Sequence, residues 1–361
     1  FQLLLLLREW YMHPNGQLPA YEWTFDDVNP PVHAWAVLQV FHGSHDHDYT
    51  FLAQAFHKLL LNFAWWVNRK DARGMNVFEG GFLGLDNIGA FDRSSGVPEG
   101  ATLAQSDGTA WMAFFCLQML DIALLLAEHD RAYEPMATKF YEHFAAIADA
   151  MRTQGLWDDE DGFFYDVLTM PGGERIPLRI RSLVGLLPLI ATTSLDSERL
   201  RALPSFRNDI EHFERLKPRL AAAVAQQHRH GDDGHRLLSV LPPEQLLRVT
   251  ARILAEDEFL SPYGLRSLSR EHDERPFTLE LPGLSARVDY EPGESQTALF
   301  GGNSNWRGPI WFPSTFLLIG SLRRFDEYLD GQTRVEFPTG SGNVITLDEA
   351  AGQLEDRLAG I

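Results

Sequence analysis

The sequence predicts an all-α fold, an (α/α) toroid with short β pieces in its rim loops, and three observations predict it. Apolar residues recur at helical spacing in long segments, as in Phe51, Leu52, Ala55, Phe56, Leu59, Leu60, Phe63 and Trp66. These segments come in pairs, and such a fold packs each helix pair beside the next. Between the pairs lie loops rich in Trp, Asp and Asn, which leaves one end free to carry a site. With 361 residues, 45% hydrophobic and 12% aromatic, the chain can bury a large core as one big domain or two smaller ones.

In chain order, the run Leu3-Leu-Leu-Leu-Leu7 leads into Arg8 and Trp10 and reads as the later turns of a buried helix. It is too short for a membrane span and lacks the basic start and small-residue cleavage site of a signal peptide. Turn chemistry follows over His13–Ala20, then a polar and aromatic loop over Tyr21–Pro31, whose double proline opens a helix at Val32. Helices are expected over Val32–Phe41 and Tyr49–Arg69, then from Asp107 to Glu128 and from Glu134 to Thr153. The acidic turn Gly155–Asp166 lies between short strand-like pieces. Its spacing resembles a calcium loop, but the later bidentate glutamate is missing, so a plain turn is the better reading. Helices covering a face are expected over Asp196–Leu254, with a charged break at His228–His235; about 197–256 reads as a helical insertion. The histidines of the break have no HExxH pairing or cysteine partner, so a solvated loop is expected there. Further helices are expected over Ser314–Tyr328 and Leu347–Ile361. Because both ends lie within helix-like sequence, the chain is read as a fragment truncated at both ends.

The formal charge of −19 argues against a nucleic-acid partner, since phosphate binding needs clustered Lys and Arg. The one cysteine, Cys116, sits in an apolar helical run, so no internal disulfide can form and a core position is expected. No cofactor, metal or membrane partner is called for, and a cytoplasmic location is expected.

The stretch Glu79–Arg93 reads as a site loop with Asp86 at its centre. Asp86 follows Phe82, Leu83, Gly84 and Leu85, and partial desolvation raises a carboxyl toward the range where it donates protons. A turn-capping role is the alternative use of such an aspartate. Three loops share one character: Tyr21, Glu22, Trp23, Asp26 and Asp27; Asp86, Asn87, Asp92 and Arg93; Asn303, Asn305, Trp306, Arg307 and Trp311. Flat rings beside carboxylates, amides and a guanidinium suit a sugar, whose C–H faces stack on Trp while its hydroxyls seek paired partners.

The strings Gly84-Leu-Asp-Asn87, Pro262-Tyr-Gly-Leu-Arg-Ser267 and above all Asn305-Trp-Arg-Gly-Pro-Ile-Trp311 resemble the catalytic domain of glycoside hydrolase family 63, the mannosyl-oligosaccharide glucosidase group, in its bacterial branch. Glu22-Trp23 with Asp27-Val-Asn-Pro-Pro31, and Gly162-Phe-Phe-Tyr-Asp166, extend the resemblance over most of the chain. It implies an (α/α)6 barrel and inverting hydrolysis of α-glycosidic bonds, on α-glucosides or α-mannosides carried by an oligosaccharide or small glycoside. It also implies that Asp86 is the general acid. Trp23 and Trp306 are then candidate stacking faces, and Glu22, Asn87, Asp107 and Arg307 candidates for holding hydroxyls.

Inversion also needs a carboxylate base roughly 6.5–9.5 Å from the acid. The family places it in a late segment that has no match before Ile361, and the role transfers to none of Glu327, Glu336, Glu349 and Glu355. Two alternatives stand beside the hydrolase. A sugar epimerase or isomerase on a similar toroid would use facing histidines, such as His33 or His57. A glycan-binding protein with a decayed site would bind without turnover.

Overall fold

The structure is a computed structural model that describes residues 1–8, 10–21, 25, 27–71, 73–79, 81, 83–93, 96–224, 235–296 and 305–361. Helices carry most of the regular structure, and the strands among the described residues are two to five residues long. The chain divides into two compact units: one comprises Phe1–Leu83, Gly108–Thr153 and Thr193–Val240, the other Gly84–Asp107, Gln154–Thr192 and Leu241–Ile361.

In the first unit the expected helix pairs form where the periodicity places them, at His33–Gly43 with Tyr49–Arg69 and at Ser106–Ala127 with Glu134–Thr153. The Tyr49–Arg69 helix starts at Asp48, whose carboxylate accepts the Phe51 N–H and satisfies one of the orphan donors of the first turn. Its apolar stripe packs edge-to-face on its neighbours: Phe56 on Tyr133 and Phe140, and Phe63 on Phe115 and Phe140. The Ser106–Ala127 helix is long and apolar enough to cross a membrane, yet nearly all of it is buried, as a core helix should be. Cys116 lies on it, fully buried.

Two expectations change here. The opening helix, Gln2–Leu6, is one short turn with no fully buried residue; only Leu7, just beyond it, is sealed from solvent. The region after Asp196 is helical at Ser197–Ala202, Pro204–Leu216 and Pro218–Ala223, but Arg236–Ser239 is a strand paired with Thr192–Leu195. Most of the charged break before it lies outside the described residues.

In the second unit, an antiparallel sheet joins Thr102–Ala104, Asp166–Thr169 and Arg175–Leu178, with Asp166 opposite Leu178. The hairpin Phe277–Leu281 with Leu284–Val288 has no counterpart among the expected elements. Its alternation of half-buried and exposed residues is the period-2 pattern of a strand lying on a core. From these strands and the segments around them, Ala90, Phe91, Leu168, Leu178, Ile180, Leu268, Leu279 and Val288 form one buried cluster. That cluster holds the far end of the Asp86 loop. The helices Phe312–Tyr328 and Leu347–Ala359 pack together, the second opened by a capping box in which Thr346 and Glu349 exchange hydrogen bonds.

Candidate active site

The loop around Asp86 begins with two consecutive left-handed residues, Leu83 at φ 49° and Gly84 at φ 72°. A leucine there is strained, and such strain is kept only where the surroundings impose it. Further along, Leu85, Ile88, Ala90 and Phe91 turn the loop's apolar side into protein. Asp86 is left 6% exposed and Asn87 fully buried.

Asn87 ties this loop to the Trp-Arg-Gly-Pro loop. Its Oδ1 accepts the Trp306 N–H at 2.8 Å, and its Nδ2 donates to Ser295 Oγ at 3.1 Å and to Asn305 Oδ1 at 3.4 Å. Arg307 locks the same junction. Its side chain is 1% exposed, with Nε donating to the Asn87 carbonyl at 2.8 Å and a terminal nitrogen to the Gly89 carbonyl at 3.2 Å. Burial lowers the Arg307 pKa, and the charges of Glu291 and Asp289 act against that. Asn305 completes the knot by donating to the carbonyls of Glu291 and Gly293, each at 2.7 Å. Gly308 lies at φ 146°, and an added Cβ there would come within 2.6 Å of the Tyr290 ring. Trp306 stacks on Trp311 at 4.0 Å and 12°, making a flat half-buried platform.

The second cluster is electrostatic. Arg93 donates both fork nitrogens to Asp107, at 2.8 and 2.7 Å, with both residues buried. Burial works against the Arg93 cation, but Asp107, Asp166 and Asp86 together hold its pKa above the ordinary arginine value. Asp166 starts its strand with Oδ1 accepting the Ser106 N–H at 2.7 Å. Burial and then the Asp107 charge push its carboxyl up to about 7, against the pull of Arg93.

The expected site residues thus separate. Asp86, Asn87, Trp306 and Arg307 come together with Asn305 and Trp311, while Asp107 joins Arg93 with no exposed surface. Glu22 and Trp23, together with Asp26 and Asn303, lie outside the described residues. The signal for Asp166, given no role by the sequence alone, is a carboxylate directly after the buried run Phe163-Phe-Tyr165. The tail glutamates already have work: Glu336 accepts the Gly340 N–H at 2.6 Å, Glu349 caps its helix and Glu355 pairs with Arg323. His57 is exposed, its ring 3.2 Å from the Tyr133 hydroxyl, and burial lowers the pKa of His33. In the acidic turn, Asp158 and Asp161 are taken by arginines: Asp158 by Arg179 at 2.9 Å, Asp161 by Arg181 and Arg252.

A nearly dry carboxylate lies on a loop tied by Asn87 to a pair of stacked indoles, a combination of polar and flat apolar groups that suits a carbohydrate. Residues 7–230 match the model of the mannosylglycerate hydrolase MGH1-like glycoside hydrolase domain, and the chain belongs to that family. An uncharacterized protein of Saccharomyces cerevisiae is 49% identical over 378 residues, covering 99% of this chain and 35% of the yeast protein. The chain therefore spans about a third of the length of this curated relative, which is fungal rather than bacterial. Among solved structures, a GH63 mannosylglycerate hydrolase from Thermus thermophilus in complex with glucose superposes with a TM-score of 0.53 at 17% identity, over 99% of this chain and 78% of that one. The same enzyme in complex with Tris and D-glycerate gives 0.51 at 15% identity, over 99% and 78%. At such identity the likeness is one of fold.

Proposed function

We propose that this domain hydrolyses α-glycosidic bonds of glucosides or mannosides with inversion, on an (α/α) toroid, and that Asp86 is its general acid. The observation that carries the reading is the position of Asp86: nearly sealed from water, on a loop whose next residue anchors the Trp306 backbone. A carboxyl kept from bulk water on a fixed loop is placed to hand a proton to a leaving oxygen. Trp306, backed by Trp311, offers an apolar face to the sugar ring, and Trp23 and Glu22 are assigned to the same sugar. Asn87 and Arg307 act by fixing the loops, and Asp107 by fixing Arg93. The base is assigned to none of the four tail glutamates. The substrate class is a hexose joined to a small acid, in keeping with family members named for mannosylglycerate.

The test is release of sugar from a panel of α-glucosides and α-mannosides, mannosylglycerate included, by the full-length protein and its Asp86→Asn form, with the product anomer followed by NMR. Inverted product that vanishes in the variant supports the reading. Turnover that survives in the variant, or no turnover of any panel member, overturns it.

A further inference from the structure

The loop behind Asp86 rests on a cation sealed from water. The Arg307 side chain is 1% exposed, and its hydrogen bonds among the described residues all run to main-chain carbonyls: Nε to Asn87 at 2.8 Å, Nη2 to Gly89 at 3.2 Å and Nη1 to Arg287 at 3.3 Å. Two of those carbonyls follow Asp86 directly in the chain, so the place of the guanidinium decides the place of that loop. Carbonyl dipoles satisfy the N–H groups but carry no net charge, and a cation taken out of water needs an anion beside it. Among the described residues, Glu291 is the carboxylate within ion-pair distance, its Oε1 3.8 Å from Nη1 and its side chain 12% exposed. Asp289, two positions before it, is taken by Arg287 at 2.7 Å. Glu291 is itself fixed: its N–H donates to the Arg307 carbonyl at 2.5 Å, its carbonyl accepts Asn305 Nδ2 at 2.7 Å, and its Oε2 accepts the Gln296 N–H at 3.0 Å.

We propose that Glu291 is a positioning residue for the acid: its carboxylate balances Arg307, which holds the Asn87 and Gly89 carbonyls and through them the loop that carries Asp86. The inference rests on the reading of Asp86 as the acid, and in this role Glu291 touches no reacting atom. Without the carboxylate, the buried guanidinium has to draw water into the junction or move toward solvent. Either change carries the two carbonyls with it. A proton donor displaced by about 1 Å costs up to about a hundredfold in rate, so a small shift of this loop is read out in the step that needs the proton.

Glu291→Gln in the full-length protein tests this, because the amide keeps the shape and the acceptor for the Gln296 N–H while the charge is lost. The kcat/KM is compared on an O-glycoside of the panel, which needs the acid, and on the corresponding α-glycosyl fluoride, whose leaving group needs no proton. The O-glycoside value is expected to fall about tenfold or more beyond any fall on the fluoride, whereas a merely structural loss lowers both alike. Glu291→Asp, which restores the charge, should recover part of that difference. With Arg307→Gln already in place, adding Glu291→Gln should lower the O-glycoside value no further, since the carboxylate then has no cation to balance. That double variant buries no unpaired charge, so it carries the test where the single one does not fold. Equal changes on both substrates, no change on either, or a further loss in the double variant overturns the inference, provided Asp86→Asn is inactive on the O-glycoside and active on the fluoride. If Asp86→Asn turns over the O-glycoside normally, the acid assignment falls first and takes this inference with it.

Discussion

The side-chain oxygen of Asn87 accepts the backbone N–H of Trp306 at 2.8 Å, joining positions 219 residues apart in the chain. Through that bond the residue after the candidate acid sets the height of the indole platform. The rest of the amide binds Ser295 and Asn305, and the Asn87 carbonyl binds Arg307, so one buried residue serves four partners.

Asn87→Ala should therefore cost more than a surface amide. It leaves the part-buried Trp306 N–H without its acceptor and releases Ser295 and Asn305, a loss of about 1–3 kcal/mol by the cost of unsatisfied groups. Urea unfolding should show that loss. Any glycosidase activity should fall at least tenfold, because displacing a positioning loop by about 1 Å has costs of that order.

Two glycines should respond oppositely to alanine. At Gly185 an added Cβ would overlap the ring of the buried Phe163 and the carbonyl of the buried Phe164, and Gly185→Ala should destabilise by about 1–3 kcal/mol. Gly352 sits inside the Leu347–Ala359 helix with nothing within 4 Å of the added atom. Gly352→Ala should stabilise by about 0.5–1 kcal/mol, since it only stiffens the unfolded chain and improves helix propensity. Thermal melts of both variants check the pair.

Much of this was legible in the sequence wherever one element decided its own structure. The Tyr49–Arg69 helix falls at the expected ends because its apolar stripe and its Asp48 cap agree, and the Glu134–Thr153 helix because its apolar stripe runs unbroken from end to end. The Asp86 loop was legible too, because glycines flanking a carboxylate inside an apolar run let the backbone turn tightly while the neighbouring side chains exclude water. What escaped was decided by partners distant in sequence. The Phe277–Val288 hairpin is apolar enough to be a strand only once Leu168 and Leu178 are known to face it. Arg93 and Asp107 look like two independent charges, 14 positions apart, until the loop folds them into a bidentate pair. Asp107 read as a hydroxyl-binding candidate for that reason: from sequence, a carboxylate near a site is indistinguishable from one that holds the site's arginine.

Asp166 also carries a stability signature. Its folded pKa lies above the unfolded value, so between about pH 4 and pH 7 the folded state keeps a proton that the unfolded chain gives up. The unfolded state then binds fewer protons, and stability falls as pH rises through that window. Asp166→Asn should remove this slope, gaining about 1–2 kcal/mol on wild type at pH 8 and nothing at pH 4. Chemical denaturation at the two pH values measures it; an equal difference at both would mean that the carboxyl titrates normally.

His272 should produce the opposite slope. Its Nε2 accepts the Arg181 N–H at 3.0 Å, and its Nδ1 lies 3.1 Å from the Arg275 carbonyl, so the ring is neutral with its proton on Nδ1. A second proton would have to displace the Arg181 N–H. Burial lowers the His272 pKa first; the Arg275 carbonyl opposes this, the Arg181 charge adds to it, and the smaller Asp289 and Arg275 charges raise and lower it in turn. With the folded value depressed, the contribution of His272 is complete above about pH 6.5, the unfolded value, and is lost as pH falls toward the folded one. Arg181 holds Asp161, Glu258 and Glu271 together, so the loss is felt where that ion network meets the strand ends. His272→Gln keeps one donor and one acceptor but does not titrate. The gap in unfolding free energy between wild type and His272→Gln should therefore be larger at pH 7.5 than at pH 5.5. A gap that is the same at both values would show that His272 titrates alike in the folded and unfolded chains.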